Sequence, residues 1–113
     1  MGKKSRTKGA AFERLVAKIS RALFPNAERN LDQYQKKDGK DLKGVQPFSL
    51  QCKRRESAKL WEIKMGYVEA KESATVEYYI PIVVWQDDFG EIMCMLRYDH
   101  LIEFGCGLED GTL

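Results

Sequence analysis

The chain has 113 residues, 43% of them hydrophobic and 32% charged, which suits one compact domain with a single core and excludes a multidomain enzyme in this length. Its formal charge of +2 hides a polarity: residues 1–55 hold 15 Lys/Arg against 5 Asp/Glu, and residues 56–113 hold 4 against 12. A basic half of that strength suits a polyanionic partner, because each Lys or Arg that neutralises a phosphate releases counterions; the alternative is a solvated basic face without a ligand.

Cys52, Cys94 and Cys106 form no C-x-x-C pair and, with His100 alone beside them, no tetrahedral zinc set of ordinary spacing, so neither a disulfide scaffold nor a zinc module is expected. Met1 to Thr7 is polar and basic, and the longest apolar run, Ile80 to Trp85, is too short to span a bilayer. A soluble, cytoplasmic protein of a reducing compartment is expected.

Residues 1–8, with Lys3, Lys4, Arg6 and Lys8, read as a basic flexible arm, mobile unless a ligand orders it, ahead of a single domain over 9–113. From Gly9, the recurrence of Phe12, Leu15, Val16, Ile19 and Leu23 predicts a helix of about four turns, stopped at Pro25. Glu13 borders that stripe on the side of Gly9, Ala10 and Ala17, where another backbone can approach, so its carboxylate is expected to point into a site.

Residues 26–47 are polar, with a short strand expected near Glu28 to Gln33 and then a loop carrying Lys36, Lys37, Lys40 and Lys43. Strict alternation over Phe48 to Lys53 predicts a strand with Phe48, Leu50 and Cys52 facing the core and Ser49, Gln51 and Lys53 facing the other way.

Ser57 to about Ala70 reads as a second helix with Ser57 as N-cap and Leu60, Trp61, Met65 and Val68 as packed positions. Tyr78 to Trp85 and Glu91 to Arg97 form a hairpin around Asp87-Asp88-Phe89-Gly90, and a last short helix runs from an Asp99 cap through Phe104 to a stop at Gly105. His100 is expected to be structural, and Trp61, Trp85, Tyr78 and Tyr79 to be core or interface aromatics, with stacking on an unpaired base as the other use of an exposed one. The order is α-β-β-β-α-β-β-α, an α/β or α+β sheet with helices packed on it.

Three features converge: Glu13 on a helix, Asp41 in Gly39-Lys40-Asp41-Leu42, and Gln51-Cys52-Lys53-Arg54-Arg55 on a strand. They resemble the PD-(D/E)XK nuclease superfamily. Lys8-Gly-Ala-Ala-Phe-Glu13 opening a helix, together with the late Pro81-Ile-Val-Val84 hairpin, makes the chain similar over nearly its whole length to the small Holliday junction resolvase family, including its phage-encoded relatives. The resemblance implies a restriction-endonuclease-like mixed sheet flanked by helices and a Mg²⁺-dependent endonuclease, with Mn²⁺ able to substitute. The host cytoplasm is implied for a phage-encoded chain. It also implies action as a homodimer, since paired nicks in a four-way junction need two sites.

Phosphodiester hydrolysis needs a poised water and charge to offset the phosphate oxygens and leaving alkoxide, which Mg²⁺ on hard oxygen ligands supplies. By the resemblance, Asp41 is the principal metal ligand, Glu13 and Gln51 contribute, the Cys52 backbone carbonyl completes the set, and Lys53 orients or helps deprotonate the attacking water. The chain departs from the family at Lys40, in place of a proline, and at Gln51, in place of an acid; a carboxamide holds a cation less tightly than a carboxylate. A helix-two carboxylate such as Glu62 in the missing role is a lesser alternative. Lys3, Lys4, Arg6, Lys8, Arg29, Lys36, Lys37, Lys40, Lys43, Arg54 and Arg55 are the candidate DNA contacts, reading shape rather than sequence. Residue by residue, a turn aspartate, a solvated glutamate and a surface charge run are the plain readings. A same-fold nuclease for other branched or nicked DNA, or a non-catalytic DNA-binding module, are the competing functions.

Overall fold

The computed structural model describes residues 3–31 and 39–112, with side chains from residue 7 onward. Three helices and five strands follow in the order α1 (Lys3–Ser20), β1 (Glu28–Arg29), β2 (Leu42–Lys43), β3 (Phe48–Arg54), α2 (Leu60–Glu72), β4 (Ile80–Gln86), β5 (Ile92–Met95), α3 (Tyr98–Asp110). The fold is α+β, in the expected order of elements. None of the described helices is long and apolar enough to cross a membrane.

β3 and β4 run parallel in the register Phe48↔Ile80 to Arg54↔Gln86, with α2 as the crossover between them, and β5 returns antiparallel on β4. β1 and β2 form a separate antiparallel pair, Glu28↔Lys43 and Arg29↔Leu42. That pair is stitched to β3, because the Asp41 N–H donates to the Leu50 carbonyl while the Asn30 N–H donates to the Asp41 carbonyl.

Period-two alternation on β3 and β4 assigns opposite faces to opposite helices. Phe48, Leu50, Ile82 and Val84 join Phe12 and Val16 of α1 and Phe104 of α3 in the main core. There the Phe48 and Phe104 rings lie 4.7 Å apart and Phe24 meets Phe48 edge-on at 5.9 Å. On the other face the Ser49 hydroxyl donates to the Ala70 carbonyl of α2 at 2.7 Å, and Val83 lies against Gly66.

Several boundaries differ from expectation. α1 begins at Lys3, so residues 3–8 are its first turns and not a separate arm; no glycine or proline interrupts them, and Lys and Arg are good helix formers. Its apolar stripe is split: Phe12, Val16 and Ala17 are buried while Leu15, Ile19 and Leu23 are exposed. β1 is two residues long, and Gln33, the far end of the expected strand, lies outside the described residues. The segment expected as a loop contains β2, with Leu42 and Val45 fully buried.

α2 starts at Leu60, and its cap is Lys59, whose N–H is accepted by Glu62 Oε1 at 3.1 Å, so Ser57 does not cap it. Leu60, Trp61, Met65 and Val68 are exposed; Ile63, Gly66 and Ala70 are the buried positions. Two of these three, Gly66 and Ala70, are small because the helix lies close on the sheet there. α3 runs through Gly105 to Asp110 and ends at Gly111, whose φ of 70° suits a left-handed cap; Arg97, not Asp99, precedes it.

The β4–β5 connection is a turn closed by the Gly90 N–H on the Asp87 carbonyl at 3.0 Å. Phe89, at its third position, has a φ of 61°, a region that costs a residue with a Cβ about 1–2 kcal/mol. The glycine that would relieve this comes one residue later.

A Cβ at Gly66 would stand 2.6 Å from Val83 Cγ2 and 3.1 Å from Lys53 Cε. Gly66→Ala gains about 1 kcal/mol of helix propensity but overpacks the helix–sheet contact. The expected net result in urea unfolding is a loss of about 1–2 kcal/mol; a gain in stability would show that α2 sits farther from the sheet.

Candidate active site

The site is built around β3. Asp41, in the stretch leading into β2, is buried, and its Oδ2 accepts the Cys52 N–H of β3 at 2.7 Å. Gln51 is buried one residue earlier, its amide nitrogen donating to the Gly39 carbonyl. Lys53 points to the α2 side, as alternation predicts, and its ammonium meets Glu69 Oε1 of α2 at 2.8 Å. Its aliphatic stem passes over Gly66, so the absence of a side chain there gives Lys53 its path.

Glu13 is buried on α1 as expected, and Oε1 accepts from the Arg29 guanidinium at 2.9 Å. Its charge reaches Asp41. Burial pushes the Asp41 carboxyl up to about 7; the Cys52 N–H opposes the rise, Glu13 adds to it, Lys53 opposes it and Glu69 adds to it. The same burial, with Asp41 and Glu13 nearby, holds the Cys52 thiol well above its usual range, so its side chain is a neutral, unreactive neighbour.

Asp41, Gln51, Cys52 and Lys53 are thus brought together, with Glu13 close enough to act electrostatically on Asp41. Two carboxylates, a carboxamide oxygen and a backbone carbonyl are hard donors of the kind Mg²⁺ accepts while keeping several waters. A divalent cation would relieve the mutual repulsion that helps raise the Asp41 carboxyl. Among the described residues no three His, Cys, Asp or Glu side chains form a ready metal cluster; Glu69 is paired with Lys53.

The proposed DNA contacts are distributed differently from expectation. Arg29 is half-buried against Glu13 and belongs to the site interior. Lys40 is buried, its ammonium 5.1 Å from the centre of the Tyr78 ring, so it does not flank the site as a surface lysine; Leu42 and Val45 draw this segment into the core. Lys8 and Arg54 both meet Asp88 at 2.7 Å, Arg55 meets Glu62 at 2.8 Å, and Lys43 meets Glu28 at 3.5 Å. Lys36 and Lys37 lie outside the described residues, as do the side chains of Lys3, Lys4 and Arg6. His100 lies on α3, its Nδ1 buried without a hydrogen-bond partner.

Three features escaped the sequence reading. Glu69, not Glu62, is the helix-two carboxylate at the site, one face-repeat along α2 from Gly66; spacing alone offered both. Gly66 is the gap that Lys53 needs. Arg14, Lys18 and Arg21 line a groove on α1 with Arg29 and Glu28, and their i, i+4, i+7 spacing was the available signal. Comparison with protein-family models, curated proteins and solved structures finds no match to this chain.

Because the folded state holds the Asp41 proton more tightly than the unfolded chain does, this group's contribution favours folding below pH 4 and is lost as pH rises through about 7. Asp41→Asn keeps an acceptor for the Cys52 N–H and removes the charge. Thermal and urea unfolding should show the variant near wild type at pH 4 and more stable above pH 8, by up to roughly 4 kcal/mol. A stability difference independent of pH would contradict the raised carboxyl.

Proposed function

We propose that this chain is a metal-dependent, structure-specific DNA endonuclease of the PD-(D/E)XK type, with a restriction-endonuclease-like sheet, acting as a homodimeric Holliday junction resolvase. The observation that carries the reading is the meeting of Asp41, the Cys52 backbone and Lys53 at one edge of β3, where Asp41 Oδ2 is fixed by the Cys52 N–H at 2.7 Å. A buried carboxylate has no structural need to sit there ionised; a site for a hard cation gives it one.

Under this reading Asp41, Glu13, the Gln51 side-chain oxygen and the Cys52 carbonyl would hold Mg²⁺, with Mn²⁺ as a substitute. Bound there, the ion would supply Lewis acidity and lower the pKa of a coordinated water. Asp41 is held in one rotamer by its backbone donor. Gln51 has its NH₂ committed to the Gly39 carbonyl, which turns its oxygen toward other partners. Lys53 brings positive charge to the attacked phosphate and contacts the attacking water, and Glu69 orients its ammonium. Arg14, Lys18 and Arg21, rather than the buried Lys40, form a basic rail along the groove that Arg29, the partner of Glu13, also lines.

A second reading, a DNA-binding module with a degenerate site, is favoured by one observation: Gln51 is neutral where the family carries an acid. Cleavage decides between them. The purified protein, Asp41→Ala and Lys53→Ala are incubated with end-labelled four-way junction, flap, nicked and linear duplexes, with Mg²⁺ or EDTA. Paired nicks in the junction that need Mg²⁺ and fall at least about 100-fold in each variant, with junction binding retained, support the resolvase. Nicking of flaps or nicked duplex in preference moves the substrate; tight binding without scission in Mg²⁺ or Mn²⁺ supports the binding module.

If the α1 rail contacts phosphates, replacing Arg14, Lys18 and Arg21 together by Ala should weaken binding to all DNA forms alike. The slope of log affinity against log salt should fall by about 2–3. An unchanged slope would remove the rail from the interface.

A further inference from the structure

Phe89 satisfies neither packing nor turn chemistry. It is fully exposed at the tip of the β4–β5 hairpin, and its φ of 61° occupies a region that turns of this kind reserve for Gly or Asn. The tip is nevertheless firmly built. Asp87 Oδ1 accepts the Ala58 N–H at 2.7 Å, the Asp88 N–H donates to the Glu56 carbonyl at 3.1 Å, and the Gln86 amide donates to the Gly90 carbonyl at 3.0 Å. Lys8 and Arg54 both grip the Asp88 carboxylate at 2.7 Å. The ring is thus held in open solvent on a braced turn of positive φ, where it is free to meet a group outside the chain.

We propose that Phe89 is a base-stacking residue, packing on the face of an unpaired or unstacked nucleobase of the DNA, beside phosphates held by Lys8 and Arg54. This rests on the DNA-binding part of the function proposed above and adds a base contact to it. Every base has a π-face, so such a contact selects exposed bases without reading sequence.

Position and charge favour nucleic acid over a protein partner. Arg54 follows Lys53 directly on β3 and pairs in register with Gln86, and Phe89 lies three residues beyond Gln86, at most about 10 Å of chain. Lys8 brings the basic first turns of α1 to the same tip. Two cations meet one carboxylate at Asp88, the arrangement into which a phosphate oxygen can exchange. Glu56 and Glu91 are exposed next to the tip and oppose a backbone running along it, so the tip suits a single splayed base better than a length of duplex.

The test measures binding in EDTA, so that it does not depend on cleavage. Wild type, Phe89→Ala and Phe89→Trp are titrated against a four-way junction carrying 2-aminopurine at the branch, the matching single strand and the matching linear duplex. Phe89→Ala should bind junction and single strand about 5- to 100-fold more weakly, the range for one base–aromatic stack, with duplex affinity within twofold of wild type. The 2-aminopurine quenching should vanish in Phe89→Ala and persist in Phe89→Trp, while thermal midpoints show all three proteins folded. Equal affinities for wild type and Phe89→Ala, or equal losses on junction and duplex, overturn the proposal. So does a change in particle mass on light scattering without a change in DNA affinity, which would assign Phe89 to a protein contact. Selective loss in a protein that nicks nothing in Mg²⁺ leaves the stacking residue in place and removes the nuclease; a wild type that binds no DNA overturns both.

Discussion

One hydrogen bond, from the Cys52 N–H to the Asp41 carboxylate, ties together the parts of the molecule that matter most. Asp41 also donates its own N–H to Leu50 and accepts the Asn30 N–H, so a single residue links β1, the stretch leading into β2, and β3. Asn30 reinforces the same bridge by donating its side-chain amide to the Lys40 carbonyl at 2.9 Å. Removing the carboxylate's charge would ease its burial, whereas removing its acceptor oxygen would leave a β3 donor unmatched. The chain therefore keeps, at a structural junction, an acid that stability alone would not select.

Around that junction the charge polarity of the sequence is folded back on itself. The basic first half supplies Lys8, Lys53, Arg54 and Arg55; the acidic second half answers with Asp88, Glu69 and Glu62. Residues distant in sequence are joined across β3, α2 and the hairpin turn, and the half-buried pairs among them are less screened by salt than pairs in open water. Under the proposed function, a DNA backbone approaching this face would compete with carboxylates already in place. Arg14 and Lys18, exposed on α1, line a separate groove with Arg29 and add basic surface beyond those pairs.

The closeness of α2 to the sheet links fold and site. Gly66 lets the helix lie against Val83 and opens the path along which Lys53 reaches Glu69. Most bulk on α2 therefore points outward, at Leu60, Trp61, Met65 and Val68, while Gly66, Ala70 and one larger residue, Ile63, face inward. The usual association of large apolar residues with burial fails here because the separation between helix and sheet, not side-chain hydrophobicity, decides what fits.

Local pattern alone determined the alternation of β3, the placement of Glu13 toward the interior, the order of elements, and the grouping of Gln51 with Lys53 on one strand face. Each depends on a period of 2 or 3.6 residues that the chain carries within a few positions. What covers each face was not legible, because burial is a relation between elements distant in sequence. The exposure of Leu15, Ile19 and Trp61, the burial of Lys40 under Tyr78, and the choice of Glu69 over Glu62 beside Lys53 were decided only when α1, α2 and the β1–β2 pair took their places on the sheet. Periodicity orients a side chain on its own element; the distance to the next element decides whether it meets water, a ring or an opposite charge.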